Sequence, residues 1–372
     1  MFCLTKINVK FILSVVYIKK GIDMNILQTL TDSGQELAPK KDSIQKYRFF
    51  SQLFSIAINI WIGIEFYLFI LYLQDSNPIE KVIRPPGVEA WLPIGSLVSL
   101  KHYIQTGIVN NIHPAGMMIF ITILLTAFLF KKGFCSWICP VGFIEEMLGD
   151  LSDKFFKKRL KLPKWLDYPL RSLKYIILIF FANAIILSMS SLAIEGFIYT
   201  DYNIASDFLM MKFFTDITPF ALKVVIVLVA LSLIIRGFWC RYLCPYGALL
   251  GLFNFISPTR IVRNEKSCID CSSCTAVCPS FIKVEKVQEV ISDECTGCMA
   301  CVDICPVQKT LEVKVVKKSI TLNKAKWAAI LLIFFWGSML GYKYFGPWQN
   351  EVTDSEYRRI LPIVDKGQMT HP

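Results

Sequence analysis

Histidine is scarce in this 372-residue chain, which holds three, and none of the three follows a C-x2-C pair. That excludes covalent c-type haem, and bis-histidine haem within the chain has too few ligands, so a membrane haem would have to come from a partner subunit. No glycine-rich dinucleotide fingerprint, phosphate-binding loop or nucleophile elbow occurs either, which removes the visible machinery for nicotinamide, nucleotide or serine-hydrolase chemistry. Acidic residues are the minority charge, 29 against 40 Lys and Arg, for a formal net charge of +11. Cysteine, by contrast, is plentiful at 13.

Eight of those cysteines form two consecutive C-x2-C-x2-C-x3-C-P runs, CIDCSSCTAVCP from Cys268 and CTGCMACVDICP from Cys295. A 4Fe-4S cluster needs four soft thiolates in a tight cage, and two-residue spacings supply three of them from one loop. In the bacterial two-cluster arrangement the fourth thiolate of each run crosses to the other cluster. The expected ligand sets are Cys268, Cys271, Cys274 and Cys305 for one cluster, and Cys278, Cys295, Cys298 and Cys301 for the other. Paired zinc knuckles would explain neither the third cysteine nor the closing prolines, Pro279 and Pro306.

The hydrophobic share of 54% and mean hydropathy of +0.49 exceed soluble usage. Five apolar stretches, at 49–73, 115–130, 175–193, 220–235 and 327–342, read as transmembrane helices. Segments 1–48, 131–172 and 237–326 carry eight, nine and twelve Lys and Arg, whereas 74–113, 191–219 and 346–372 carry three, one and three. Basic loops stay cytoplasmic, so the N-terminus and the cysteine runs belong inside and the C-terminal tail outside. The charge is thus a topology signal, and nucleic acid is not an expected partner. The run from Phe11 to Ile18 is too short to span, and Met24 is a second candidate start.

The remaining pattern is an internal repeat. FCSWICPVG carries Cys135 and Cys139, and WCRYLCPYG carries Cys240 and Cys244, each a C-x3-C-P-x-G at the cytoplasmic end of an apolar span. If the helix runs through the motif, the two cysteines lie on one face, one turn apart. Two such ends would converge four thiols. These could hold a third cluster or another soft metal, form redox-active dithiols, or pack as small buried side chains.

Both repeats and the double run together resemble a membrane group, the polyferredoxin-like 4Fe-4S proteins that include NapH-type subunits, the C-terminal half of NosR-type proteins and the CcoG/RdxA-type proteins. The resemblance covers roughly residues 49–345. It implies two 4Fe-4S clusters, a bacterial inner-membrane location and electron traffic between the quinone pool and a periplasmic or membrane-bound redox enzyme. In some members it implies copper-site assembly or metal reduction instead. The chain lacks the long flavin-binding region of the NosR type, and its tail after Gly346 is too short for the folded periplasmic domain of the CcoG type, so a minimal NapH-like protein is the nearest match.

Quinol oxidation would need a proton acceptor near the bilayer surface. Glu65, inside the first span, and His102 and His113, in the first outer loop, are the candidates. The stretch from Trp91 to Ile104 reads as a short helix entered at Pro93, with Trp91, His102 and Tyr103 as possible interfacial anchors. Gly337 and Gly341 form a G-x-x-x-G in the last span.

The expected fold is mainly α and polytopic, with about five membrane helices. The expected domains are an N-terminal segment (1–48), a four-helix membrane domain (49–258), a small α+β ferredoxin domain (259–320), a fifth helix (321–345) and a periplasmic tail (346–372). The expected function is electron transfer between the quinone pool, or a cytoplasmic donor, and a redox partner, as a quinol-oxidising component of a larger complex. A copper reductase or cofactor-maturation factor acting through the C-x3-C-P cysteines is the alternative from another class, and a membrane redox sensor is a third.

Overall fold

The structure, a computed structural model, describes residues 43–74, 81–156, 161–315 and 320–369. The Phe11 to Ile18 run and Met24 lie outside the described residues. The described residues form two compact units: one comprises those within 43–45, 259–290 and 299–325, the other those within 46–258, 291–298 and 326–369.

The larger unit is helical. Its principal helices are α1 (Ile44–Leu73), α2 (Pro93–Thr106), α3 (Pro114–Phe130), α4 (Pro140–Phe156), α5 (Lys164–Ala182), α6 (Ser206–Thr215), α7 (Pro219–Ile234), α8 (Pro245–Phe255), α9 (Lys324–Phe345) and α10 (Asp354–Asp365). Three segments are long and apolar enough to cross a bilayer: α1, α5 with its π-helical continuation to Ser188, and α9. A fourth arises if α6 and α7, bent by 72° at their junction, count as one broken span. Their flanks carry exposed apolar side chains such as Phe50, Trp61, Phe180, Phe220 and Ile333, as lipid-facing surfaces do. The chain is a membrane protein with three to four candidate spans.

The stretch at 115–130, expected as a span, has a different character. α3 is 17 residues long, about 25 Å at 1.5 Å per residue and short of the ~30 Å hydrocarbon core. It is buried along its length, from Pro114 through Phe120 and Ala127 to Phe130. Apolar composition is the same for a helix wrapped by protein and one wrapped by lipid, so hydropathy alone could not separate them. Thr122 and Thr126 keep their hydroxyls satisfied by donating to the Met118 and Thr122 carbonyls, at 2.9 and 2.7 Å. Around α3 pack α2, α8 and a 3-10 turn, Pro86–Trp91.

Trp91 ends that 3-10 turn, and α2 begins at Pro93, as the proline at its first position allows. A β-carbon added at Gly337 or Gly341 would meet nothing within 4 Å, so no helix packs closely on that pair among the described residues.

The tail holds more order than its length suggested. Thr353 caps α10 in a reciprocal box with Glu356. The helix buries Tyr357, Ile360, Leu361 and Val364, at i, i+3, i+4 and i+7. These meet Phe66, Phe69 and Phe208 in an aromatic cluster with centroid spacings of 5.3 Å (Phe208 to Tyr357) and 5.5 Å (Phe69 to Tyr357).

The smaller unit is built on a three-stranded antiparallel sheet, β1 (Thr259–Arg263), β2 (Leu311–Val315) and β3 (Ile320–Leu322), in the order β1-β2-β3. Ile261 faces Val313 in the β1–β2 register, and both are buried. The intervening chain, from 264 to 290 and from 299 to 310, consists of turns and single-turn helices that carry cysteines.

Candidate functional site

In the smaller unit a cavity is lined by Cys268, Cys271, Cys274 and Cys305, with Ile269, Val307 and Leu311 among its apolar walls. The loop reaches this shape through residues of positive φ. Asp270 stands at 50° and Ser272 at 56°, flanking Cys271. Gly297 at 64° and Met299 at 60° flank Cys298 in the same two positions. Alternating left- and right-handed residues coil a backbone into a concavity lined by N–H groups, which suits an anionic cluster. Burial pushes the Cys305 thiol up to about 11, and burial, followed by the Glu285 charge, raises that of Cys274. Four soft donors around an apolar-walled cavity fit a 4Fe-4S cluster.

Of the other expected cluster ligands, Cys278 and Cys301 are buried in the smaller unit, while Cys295 and Cys298 fall in the 291–298 loop of the larger one. That loop is held by its main chain. Ser136 Oγ donates to the Thr296 carbonyl at 2.7 Å and Trp137 Nε1 to that of Gly297 at 3.1 Å. Asn254 Nδ2 donates to the carbonyls of Ser292 and Cys295, at 2.7 and 2.9 Å. Ser136 and Trp137 lie inside the first C-x3-C-P motif, and Asn254 lies on the helix that the second one starts.

In those motifs the helix does not run through. Proline lacks the N–H that would continue the preceding helix, and it suits the first position of a new one. Pro140 therefore opens α4 and Pro245 opens α8. The turn before each closes with the same long bond: Cys139 N donates to the Phe134 carbonyl, and Cys244 N to that of Trp239, both at 2.9 Å. An i to i−5 bond of this kind takes the place of the expected i, i+4 face in juxtaposing the paired cysteines.

The recurring glycine now has a cause. Cys244 caps α8, its sulfur accepting from Gly247 N at 3.3 Å, and Cys139 accepts from the Gly142 and Val141 amides. A β-carbon on Gly142 would overlap the Cys135 carbonyl, and one on Gly247 would stand 3.3 Å from that of Cys240.

The two motifs meet. The charges of Cys139 and Cys244 act on Cys135, and those of Cys244, Cys139 and Cys135 act on Cys240. Burial pushes Cys135 up to about 12 and Cys139 to about 11, and it raises Cys240 and Cys244 as well. A bound metal centre would displace the protons, and helix N-termini with N–H groups aimed at sulfur suit an anionic one. Among the described residues no three His, Cys, Asp or Glu side chains are arranged around a single ion. Four cysteine thiols are the donor type that an iron-sulfur cluster takes.

The proton-acceptor candidates separate. Glu65 is half-buried on α1 with no hydrogen-bond or ionic partner among the described residues, and His102 is buried on α2. His113 sits in a buried ionic network that sequence reading missed. Arg84 Nε donates to Asp207 Oδ2 and Arg84 Nη1 to Glu89 Oε1, both at 2.7 Å. His113 Nε2 lies 2.7 Å from the Asn203 carbonyl, which places a proton on that nitrogen, and its Nδ1 is 3.6 Å from Glu89 Oε1. Glu89 also accepts from the Gly116 amide at 2.7 Å. Burial alone would raise the Glu89 carboxyl, but Arg84 and His113 hold it below the usual range. The only sign of this network in the sequence was charge in an otherwise apolar outer loop.

Comparison with known proteins adds the following. A family model described as "4Fe-4S binding domain" matches residues 112–163 and again 217–263, each segment containing one C-x3-C-P motif. A second, "4Fe-4S dicluster domain", matches 260–306. YccM of Escherichia coli (strain K12), named as a candidate electron transport protein, is 42% identical over 319 residues, covering 84% of this chain and 88% of its own length. The uncharacterised MJ0749 of Methanocaldococcus jannaschii is 29% identical over 222 residues, 59% of this chain and 79% of its own. The ferredoxin-type protein NapH of Haemophilus influenzae is 27% identical over 195 residues, 50% of this chain and 63% of its own. No solved structure matches the chain.

Proposed function

We propose a quinone-linked electron path for this chain, which belongs to the polyferredoxin-like 4Fe-4S membrane protein superfamily. Iron-sulfur electron transfer in a membrane is its general role. The finer reading is that electrons pass between the quinone pool of a bacterial inner membrane and a redox partner enzyme, through two ferredoxin clusters and a third centre at the membrane end. The charge bias of the loops supports a cytoplasmic ferredoxin segment and a periplasmic C-terminus.

The observation that carries this reading is the seating of the 291–298 loop. Cys295 and Cys298 flank carbonyls that accept hydrogen bonds from Ser136, Trp137 and Asn254, residues of both C-x3-C-P elements. Thiols of the second ferredoxin run are therefore joined by short covalent and hydrogen-bonded routes to Cys135 and Cys139. An iron-sulfur cluster supplies one-electron transfer with little rearrangement of its ligands. The protein's part is to fix the ligands, exclude water and keep the stations adjacent. That each segment matching the "4Fe-4S binding domain" model contains one C-x3-C-P pair favours a cluster shared by the two pairs. On the other side of the bundle, Glu65 and His113 are the groups proposed to receive quinol protons.

The test follows the cluster absorbance of purified full-length protein. It is reduced anaerobically, then mixed with a short-chain quinone analogue or with cupric ion. Rapid re-oxidation by the quinone, lost when Cys135, Cys139, Cys240 and Cys244 are all replaced by alanine, supports the path. Re-oxidation by cupric ion alone, lost in the same variant, would instead make the protein a metal reductase. No response to either oxidant would leave a sensor as the better reading.

A further inference from the structure

The strand β1 ends on a charge that points inward. Side chains alternate along a strand, so Arg263 shares a face with Ile261, which is buried. Its partner across the β1–β2 register is Leu311, and both side chains line the cavity of Cys268, Cys271, Cys274 and Cys305. The backbone is held on two sides there, by the ladder to β2 and by Arg263 N, which donates to the Gln288 carbonyl at 2.7 Å. A guanidinium does not lose its proton in a protein, so the cavity wall carries a permanent cation.

Each arm of that guanidinium can be placed. Nε donates to the Val287 carbonyl at 3.0 Å and Nη2 to Glu265 Oε1 at 3.2 Å. Nη1 stands 3.9 Å from Asp270 Oδ1, the same oxygen that Cys268 Sγ approaches at 3.6 Å, and the side chain makes a hydrogen bond to Cys268 itself. The opposing charges are Glu265, Asp270 and, on the cavity wall beside Cys274, Glu285. The side chains of Glu265 and Asp270 are 54% and 70% exposed against 11% for Arg263, so water screens the two carboxylates more than it screens the cation. Cys268 can donate to Asp270 only while its sulfur holds a proton. As a cluster ligand it would be a thiolate with nothing to donate, and Arg263 then becomes its complementary neighbour.

The second run has the same spacing and the same pair of left-handed residues, yet its nearby arginine is placed differently. Arg48 acts on Cys298, but both of its Nη groups donate to Glu146. We infer that Arg263 donates a hydrogen bond to the Cys268 thiolate of a 4Fe-4S cluster held by Cys268, Cys271, Cys274 and Cys305, and so raises the reduction potential of that cluster. Hydrogen bonds to the sulfurs and the net charge around a cluster are what set its potential, and both favour the form that carries the added electron. The inference rests on the ferredoxin clusters described above and not on the quinone. Reduction makes and breaks no bond at the cluster: one electron arrives from a reductant, quinol in the proposed path or dithionite in the test, and the guanidinium stabilises the added negative charge.

The experiment is a dithionite redox titration of the full-length protein followed by electron paramagnetic resonance, with iron and acid-labile sulfide measured per chain. The signal missing from Cys274→Ala is assigned to the cluster of the first run. In Arg263→Gln that signal is expected at lower potential by about a tenfold change in its reduction constant, ~59 mV for one electron, with the iron content and the signal of the second run unmoved. Arg263→Lys keeps the charge without the planar fork and should recover roughly half of the shift or more. If Arg263→Gln fails to accumulate, Arg263→Met is titrated in its place. An unmoved signal in a charge-removing variant with full iron overturns the inference and leaves the cluster standing. Loss of about four irons from both Arg263→Gln and Arg263→Met would make Arg263 a prop of the loop and overturn its tuning role. If Cys274→Ala keeps every signal, the ligand set fails and the inference with it. Re-oxidation by quinone enters none of these readings, so the electron path stands or falls separately.

Discussion

The two sets of four cysteines are built in opposite ways. Cys268, Cys271 and Cys274 come from one loop whose left-handed residues, Asp270 and Ser272, bend it around a cavity, so three of four ligands are placed by local geometry. Cys135, Cys139, Cys240 and Cys244 come from two motifs 105 positions apart, counting from Cys135 to Cys240, and each is placed by a helix start that must itself be packed. The first kind of site is carried by its own segment. The second exists only when the bundle around it has formed, and it can therefore feel distant changes in the helices.

The sharpest break in that comparison is to remove one ligand of the local site. Cys274→Ala is expected to lose about four irons, with the rest and the membrane insertion retained. Iron analysis of the purified variant checks it, and full iron would contradict the assigned ligand set. Next comes the packing of the membrane-end site. Gly142→Ala forces a side chain into the Cys135 carbonyl and should cost about 3 kcal/mol, whereas Gly247→Ala meets its carbonyl at 3.3 Å, a tight contact relieved by a shift of a few tenths of an ångström, and should cost about 1 kcal/mol. Thermal unfolding followed by tryptophan fluorescence would rank them, and equal losses would mean that the two motifs are not packed as described.

A smaller effect than that of Gly142→Ala is expected from Trp137→Phe, which removes the donor to Gly297 and leaves a buried carbonyl unpaired, at about 1–2 kcal/mol. Freeze-quench spectroscopy should show slower electron exchange between the second run and the membrane-end thiols at unchanged potentials. Equal rates would remove the indole from the route.

The smallest effect concerns pH. Glu146, which accepts from Arg48 at 2.6 Å beside the first motif, is pushed up by burial but held below the ordinary value of 4.5 by that guanidinium. A carboxyl depressed in the folded state stabilises above its unfolded pKa and ceases to do so as pH falls through the folded one. Stability of the larger unit should thus decline below pH 4.5, less steeply in Glu146→Gln. A variant with the wild-type slope would refute it.

How much of this was legible depended on how local each cause is. The ferredoxin runs could be read because spacing alone sets their chemistry. The tail helix could have been read too, since Thr353 and Glu356 form a capping box and Tyr357, Ile360, Leu361 and Val364 follow at helical spacing, but its shortness drew attention elsewhere. The burial of α3 could not be read, because protein and lipid select the same apolar residues. Nor could the network of Arg84, Glu89, His113 and Asp207, whose members lie up to 123 positions apart. Likewise, nothing in CTGCMAC shows that Cys295 and Cys298 sit in a loop pinned to the membrane helices.

That pinning has one further consequence. Ser136, Trp137 and Asn254 all hold the loop by its peptide carbonyls, at Thr296, Gly297, Cys295 and Ser292, and every amino acid presents that acceptor. These hydrogen bonds therefore do not read side chains, although Gly297, at φ 64° and with Trp327 3.0 Å from where a β-carbon would stand, and the cluster ligand Cys295 stay fixed for other reasons. Thr296 is free to drift, whereas the Ser292 hydroxyl accepts from the Glu294 amide at 3.2 Å and helps to shape the loop. What natural variation can tolerate least here is an insertion or deletion, since one extra residue would carry every acceptor out of register with its donor.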